Sequence, residues 1–366
     1  MVIKSIELLN YRNYTQAAAE FDDHVNIFYG DNAQGKTNLL EAIYLCGTTK
    51  SHRGTKDRDI IRFGEEEAHI KMIVEKDGYK TRIDMHLKKN KSKGIAVDGI
   101  SLRRASELFG NAYMVFFSPE DMQIIKNGPA ERRRFIDTEL CQLKKLYIHS
   151  LVSYNKVLLN RNQMLKDYYT GRGYEEYIDI SDEQLCRYGI ELIKFRREFI
   201  DMLRPLIQKI HRDLSGGKEN LEILYEPDVT EEDFAEKLKK RRDREIYQKM
   251  TLTGPHRDDI NFLINDVDVR KYGSQGQQRT VALSLKLAEI EIVKQVTKEI
   301  PILLLDDVLS ELDVKRQNYL LKSINEIQTF ITCTGLDEFI KNRFHIDRVF
   351  YVKDGSVSVC GPEVLK

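Results

Sequence analysis

Residues 30–37 read Gly30-Asp31-Asn32-Ala33-Gln34-Gly35-Lys36-Thr37, a full match to G-x-x-x-x-G-K-[ST]. No other feature restricts the fold as strongly. A short strand at 24–29 is expected before the segment, and Leu39, Leu40, Ile43 and Tyr44 follow at helical spacing. The pattern therefore predicts strand, loop and helix in that order. The two glycines let the backbone curl until its N–H groups converge on a phosphate, and the helix start adds its positive dipole end. Lys36 is expected to reach the β- and γ-phosphates and to act in catalysis. The Thr37 hydroxyl is expected to ligate Mg²⁺. The whole loop, with Asn38 beyond it, forms the expected ATP-binding set.

A second acidic half stands far away. Ile302-Leu303-Leu304-Leu305-Asp306-Asp307 reads as a buried parallel strand that ends in two carboxylates. Asp306 is the expected metal partner of Thr37, and Asp307 the group that orients an attacking water. About 270 residues separate Lys36 from Asp306, beyond the roughly 100–200 of one ordinary domain. One site must then be assembled from both chain ends. This spacing argues against a compact nucleotide kinase or a small GTPase.

Between the halves the pattern changes. After Pro119, and up to about residue 214, strand signals fade and helical periodicity dominates. Residues 181–210 form an amphipathic stretch in which Pro205 is expected to kink or break the helix. A second charged helix is expected over 230–250, opened by Thr230-Glu231-Glu232-Asp233 as a capping signal. Neither sustains enough heptads for a long coiled coil. Strand signals return at 259–264. The expected architecture is α/β: a P-loop ATPase lobe made of 1–118 plus 251–366, and a mainly helical lobe, 119–250, inserted into it.

Composition narrows the partners. Lys+Arg and Asp+Glu each number 58 among 366 residues, so net charge is zero. A uniformly basic nucleic-acid coat is excluded, and a polyanion must be met by a local patch. The basic clusters available are Arg103-Arg104, Arg132-Arg133-Arg134, Lys239-Lys240-Arg241-Arg242 and residues 89–93. Without alternating aromatics, they suit phosphate-backbone contact with duplex DNA. Five scattered cysteines, with no CxxC and no Cys/His cluster, support neither a zinc site nor a disulfide framework. No apolar run approaches the ~20 residues of a membrane span, and no signal peptide is evident, so a cytoplasmic location without membrane contact is expected.

One more segment completes a recognisable order. Ser274-Gln275-Gly276-Gln277-Gln278-Arg279 opens an expected helix at 275–297, and Ser310-Glu311-Leu312-Asp313 follows the acidic pair. Phosphate loop, signature, acidic strand and SxLD loop in this sequence resemble the ATP-binding-cassette family. In that family the signature serine and glycine cap the γ-phosphate held by the other subunit. The resemblance implies that role for Ser274 and Gly276, with Gln277 beside them, and hence an ATP-dependent homodimer. Leu8-Leu9-Asn10-Tyr11-Arg12-Asn13-Tyr14, Phe117-Ser118-Pro119-Glu120-Asp121, Arg132-Arg133-Arg134-Phe135-Ile136-Asp137, Leu159-Asn160-Arg161-Asn162 and Gly254-Pro255-His256-Arg257-Asp258-Asp259 sharpen it. Together they resemble the RecF family of SMC-like proteins over essentially the whole chain.

That likeness implies an ABC/SMC-type ATPase head without the long coiled coil. It implies ATP-dependent binding of double-stranded and gapped DNA in recombinational repair, and action with RecR and RecO in loading RecA. It also implies nucleotide contact by Arg12 and Asn13, and weak, DNA-stimulated ATP hydrolysis that resets the dimer. Two departures from the cassette pattern stand out. Asp307 occupies a position where many cassette ATPases carry Glu, and its shorter reach predicts slow hydrolysis. The strand ending Cys333-Thr334 lacks the switch-loop histidine, which leaves His256 as a candidate sensor; Gln123 is the nearest candidate for the Q-loop. A transporter subunit and a nuclease-associated SMC-type head are the alternatives.

Overall fold

The computed structural model describes residues 1–168, 174–324, 326–335 and 347–360. The chain divides into two units: Met1–Asp121 with Glu289–Lys366, and Met122–Ala288. The expected lobe boundaries lay at 118/119 and 250/251. Residues 251–288 group with the second unit because strand Asp259–Ile264 pairs antiparallel with Leu221–Glu226.

The first unit holds two six-stranded sheets. One is an antiparallel sheet in the spatial order Tyr14–Glu20, Val2–Tyr11, Glu67–Lys76, Tyr79–Lys88, Lys91–Val97, Ile100–Ser101. Its inward face alternates with a polar outward face, as in Ala68, Ile70, Met72 and Val74. The other has the order Ser356–Val359, Arg348–Lys353, Val25–Tyr29, Thr329–Cys333, Ile302–Asp306, Met114–Phe117. All its neighbours are parallel except the edge hairpin of the first two. Ile302–Asp306, Thr329–Cys333 and Met114–Phe117 are buried throughout, as parallel strands covered on both faces require.

Helix Lys36–Thr48 joins residues of both sheets in one core and is itself almost wholly buried. Phe21, Phe28, Phe330 and Phe350 form an aromatic cluster there, with Phe21 edge-on to Phe330 at 4.8 Å between ring centres. The Gln328 amide acts as a strand partner between sheets: its Oε1 accepts from the Ile3 N–H (2.6 Å) and its Nε2 donates to the Ile3 carbonyl (2.8 Å).

The second unit is mainly helical, with Pro129–Leu143, Lys145–Asp167, Tyr174–Ser215 and Phe234–Gln248 around a three-stranded sheet. Of the kink or break expected at Pro205, the break does not occur: one helix runs from Tyr174 to Ser215. Leu203, Ile207 and Ile210 are buried on either side of the exposed proline. Their burial, at roughly 1.5–3 kcal/mol each, offsets the ~3 kcal/mol an interior proline costs. Val269–Tyr272 forms a short helix capped by Asp268, whose carboxylate accepts from the N–H groups of Arg270 and Lys271.

Candidate ATP-binding site

Strand register brings the distant halves together. Thr332 pairs with both Asp306 and Phe28, and Cys333 pairs with Tyr29, so the carboxyl ends of three adjacent parallel strands form one row. The phosphate loop leaves the first of these strands, and Asp306 ends the third. This edge is where ligands bind in open α/β sheets. The Thr37 Oγ1 donates to Asp306 Oδ1 at 2.8 Å, and Thr332 Oγ1 donates to the same oxygen at 2.7 Å. Burial pushes the Asp306 carboxyl above its ordinary range, against the two hydroxyl donors and the charge of Arg53.

The loop has the conformation its glycines predict. Gly30, Ala33 and Gly35 all have positive φ. A Cβ on Gly30 would overlap the Val352 carbonyl oxygen, and one on Gly35 would lie 2.6 Å from Asn13 Nδ2. Helix Lys36–Thr48 has no side-chain cap, so its first N–H groups are presented to the loop. The Lys36 ammonium donates to the carbonyls of Gly30 (2.6 Å) and Asp31 (2.7 Å) and is folded back over the loop.

Several expected nucleotide contacts hold the loop in shape. Asn13 Nδ2 donates to the Gln34 carbonyl (2.8 Å), Asn38 Nδ2 donates to Asn13 Oδ1 (2.9 Å), and the Tyr14 hydroxyl donates to the Gly35 carbonyl (2.9 Å). Gln34 Oε1 accepts from the Asp354 N–H (2.7 Å). Arg12 is spent on Glu41, a fully buried carboxylate, with Nε and Nη2 at 2.8 and 2.7 Å, and on the Asp59 carbonyl and Thr55 hydroxyl. Asp31, Asn32 and Ala33 are exposed at the loop tip.

Asp307 is exposed, with φ of 53°. Its N–H donates to Thr332 Oγ1 (3.0 Å), and Ser310 Oγ lies 3.2 Å from its Oδ1. The sequence reading missed Thr332, which contacts both Asp306 and Asp307. Its only signal is a hydroxyl near the end of an otherwise apolar strand, and that becomes informative only once the strand order is known.

The signature segment lies in the second unit. The Ser274 N–H donates to Gln277 Oε1 (2.9 Å) and the Gln277 N–H donates to Ser274 Oγ (3.2 Å), a capping box at the start of Gln275–Thr297. Gln277 Nε2 also donates to Glu219 Oε1 (3.0 Å). Ser274 and Gly276 are exposed, and a Cβ on Gly276 would meet only Ser274 Oγ, at 3.9 Å.

His256 is not placed as a sensor. Its Nδ1 is 2.7 Å from the Tyr154 hydroxyl and its Nε2 3.2 Å from the Thr251 carbonyl; burial holds its pKa down to about 4. Of the basic clusters, Arg132 is buried against Asp259 (2.6 and 2.9 Å) and Arg133 donates to the Asp258 carbonyl. Arg242 pairs with Asp179 and Asp182, Lys93 with Asp57, and Lys89 with Glu66. Arg103, Arg104 and Lys239 are exposed.

The fold and this site define an ABC-type P-loop ATP-binding head. The family model for the RecF/RecN/SMC N-terminal domain matches residues 2–358. The chain is 60% identical to a DNA replication and repair protein RecF of Lachnoclostridium phytofermentans and 59% identical to one of Lachnospira eligens, covering 98% of this chain and 99% of each relative. A solved RecF with ATP, described as a recombination mediator of the RecFOR pathway, superposes with a TM-score of 0.92 at 39% identity, covering 98% of both chains. An Smc head domain from Pyrococcus furiosus, at 16% identity and a TM-score of 0.56 over 98% of this chain and 96% of that one, shares the fold. The chain belongs to the RecF/RecN/SMC family and, within it, to the RecF proteins.

Proposed function

We propose that this chain is a cytoplasmic, ATP-gated DNA-binding protein that acts as a recombination mediator in the repair of gapped DNA. The observation that carries the reading is the Thr37–Asp306–Thr332 cluster beside the phosphate loop, in a chain alike along its length to RecF proteins. ATP phosphates would take the N–H groups of the loop, and the Lys36 ammonium would exchange the carbonyls of Gly30 and Asp31 for phosphate oxygens. Thr37 and Asp306 suit Mg²⁺: both offer hard oxygen donors, and a cation would offset the cost of a charged, buried Asp306. Bound there, Mg²⁺ would neutralise charge on the phosphate oxygens.

Asp307, held by Thr332 and Ser310, would orient a water toward the γ-phosphorus. Its carboxylate would take the proton as the bond to the β-bridging oxygen breaks and ADP leaves. The reach of an Asp makes this step slow and the protein a switch. Ser274 and Gly276 of a second copy would bind the same γ-phosphate, so ATP, bonded by both subunits, favours the dimer by mass action. Loading of RecA with RecO and RecR is the role that follows, consistent with the RecFOR pathway named for the solved relative. Full-length likeness to RecF disfavours a transporter subunit or a nuclease-associated head.

Light scattering tests the reading with no nucleotide, with ADP and with ATP·Mg²⁺, each with and without duplex DNA. A dimer is expected only with ATP·Mg²⁺, strengthened by DNA, and Lys36→Ala should remain monomeric. A monomer throughout, with ATP demonstrably bound, overturns it.

A further inference from the structure

The antiparallel sheet of the first unit carries a side-chain cluster that the ATP site does not use. In strand Glu67–Lys76 the even-numbered residues 68–74 are buried, which turns Glu67, His69 and Lys71 to the other face. The neighbouring strand pairs Lys88 with Glu67, His86 with His69 and Asp84 with Lys71. The His69 and His86 rings stack with centres 3.8 Å apart. His86 Nε2 lies 3.0 Å from Glu67 Oε2, and His69 Nε2 lies 4.0 Å from Glu67 Oε1. One ligand atom from each of the three residues falls within 4.8 Å of the others.

Beside them the outward face forms an open groove of about 520 Å³, lined by both histidines and by the small residues Ala18, Gly94 and Ala96. Gly94 pairs with His86, so no side chain from that position covers the ring.

We propose that Glu67, His69 and His86 form a surface site for a divalent transition-metal ion of the Zn²⁺ class, with a coordination position open to the groove. Two imidazoles and one carboxylate suit Zn²⁺ and its neighbours, whereas Mg²⁺ prefers an all-oxygen set. The ligands sit on adjacent strands anchored by a buried face, so folding has already met most of the ordering cost. Lys88, whose Nζ is 3.4 Å from Glu67 Oε2, is the cation that an incoming metal would displace.

The test is a Zn²⁺ titration of the EDTA-stripped full chain against a chromogenic chelator. Millimolar Mg²⁺ is present to saturate the Thr37–Asp306 pair. One equivalent is expected to bind, at least about tenfold weaker in His69→Gln and in His86→Gln, since even outer-shell losses cost 10–100-fold. Lys88→Ala should bind as tightly or more tightly. All three positions are solvent-accessible, and melting curves check that each variant folds; Glu67→Gln, which keeps the shape, is a further variant expected to bind more weakly. Absence of uptake by the parent, or identical titration of the double histidine variant, overturns the proposal and leaves a surface ion-pair cluster.

Discussion

Asp306 is held where its charge is costly. Burial raises its carboxyl pKa, and the folded chain carries that cost whenever the group is ionised. The sign follows directly: the folded value lies above the unfolded one, so the penalty is full at neutral pH and fades as pH falls through the folded pKa to the ordinary carboxylate range. Asp306→Asn, which can still accept from Thr37 and Thr332, should raise the melting midpoint of the nucleotide-free protein by about 2 °C at pH 7. The gain should vanish in acid, and hydrolysis should be lost. Arg12 carries the opposite lesson. Its bidentate pair with buried Glu41 holds that carboxyl below its usual range: burial pushes it up, but the hydrogen bonds from Arg12 and Ser51 outweigh burial. Arg12→Ala leaves a buried charge unpaired and should cost roughly 3–5 kcal/mol in chemical denaturation. Unchanged stability with weakened ATP binding would instead mark Arg12 as a nucleotide contact. Residue type made Lys36, Thr37 and Asp306 legible in the sequence. The partner of Arg12 was not legible, because a guanidinium binds a carboxylate and a phosphate by the same chemistry.

At the scale of elements, two hairpins fasten the phosphate loop. Residues between Val2–Tyr11 and Tyr14–Glu20 supply Asn13, and the turn between Arg348–Lys353 and Ser356–Val359 supplies Asp354 and Gly355. Gly355 has φ of 71°, and a Cβ there would overlap the Asn13 carbonyl oxygen. Gly355→Ala should cost about 1–3 kcal/mol and weaken ATP binding together. Gly78→Ala is the control: φ is 80° but nothing lies within 4 Å, so it should cost about 1–2 kcal/mol of backbone strain and leave ATP affinity unchanged. Calorimetry with and without ATP reads both effects. Elements with a continuous apolar run or a clear alternation were legible, including Ile302–Asp306, Thr329–Cys333 and Asp259–Ile264. The helix through Pro205 was not, because local propensity says break and burial on both sides of the proline outweighs it. Strand Tyr14–Glu20, with its three consecutive alanines, was also missed; it gains its place by pairing with Val2–Tyr11.

For the whole molecule, the decisive question is whether a second copy reads the nucleotide. Ser274→Arg should leave ATP binding by a single subunit nearly intact and block the ATP-dependent dimer in light scattering. Loss of the Ser274 cap should itself cost only about 1 kcal/mol. A dimer of unaltered stability would show that the signature is not used in trans. DNA contact calls for similar care: variants of Arg132 or Arg242 would break the second unit's own ion pairs, so the exposed Arg103, Arg104 and Lys239 are the informative positions. By itself, the sequence determined the phosphate-loop motif, the acidic strand and their separation along the chain. Each depends on residue type and local spacing, which are written along the chain. Tertiary structure alone decided that Thr332 joins Asp306, that Arg12 turns to Glu41, and that Glu67, His69 and His86 meet on one sheet face. Strand order and register bring those groups together, and they are set by the burial of the whole sheet, which no local stretch of sequence encodes.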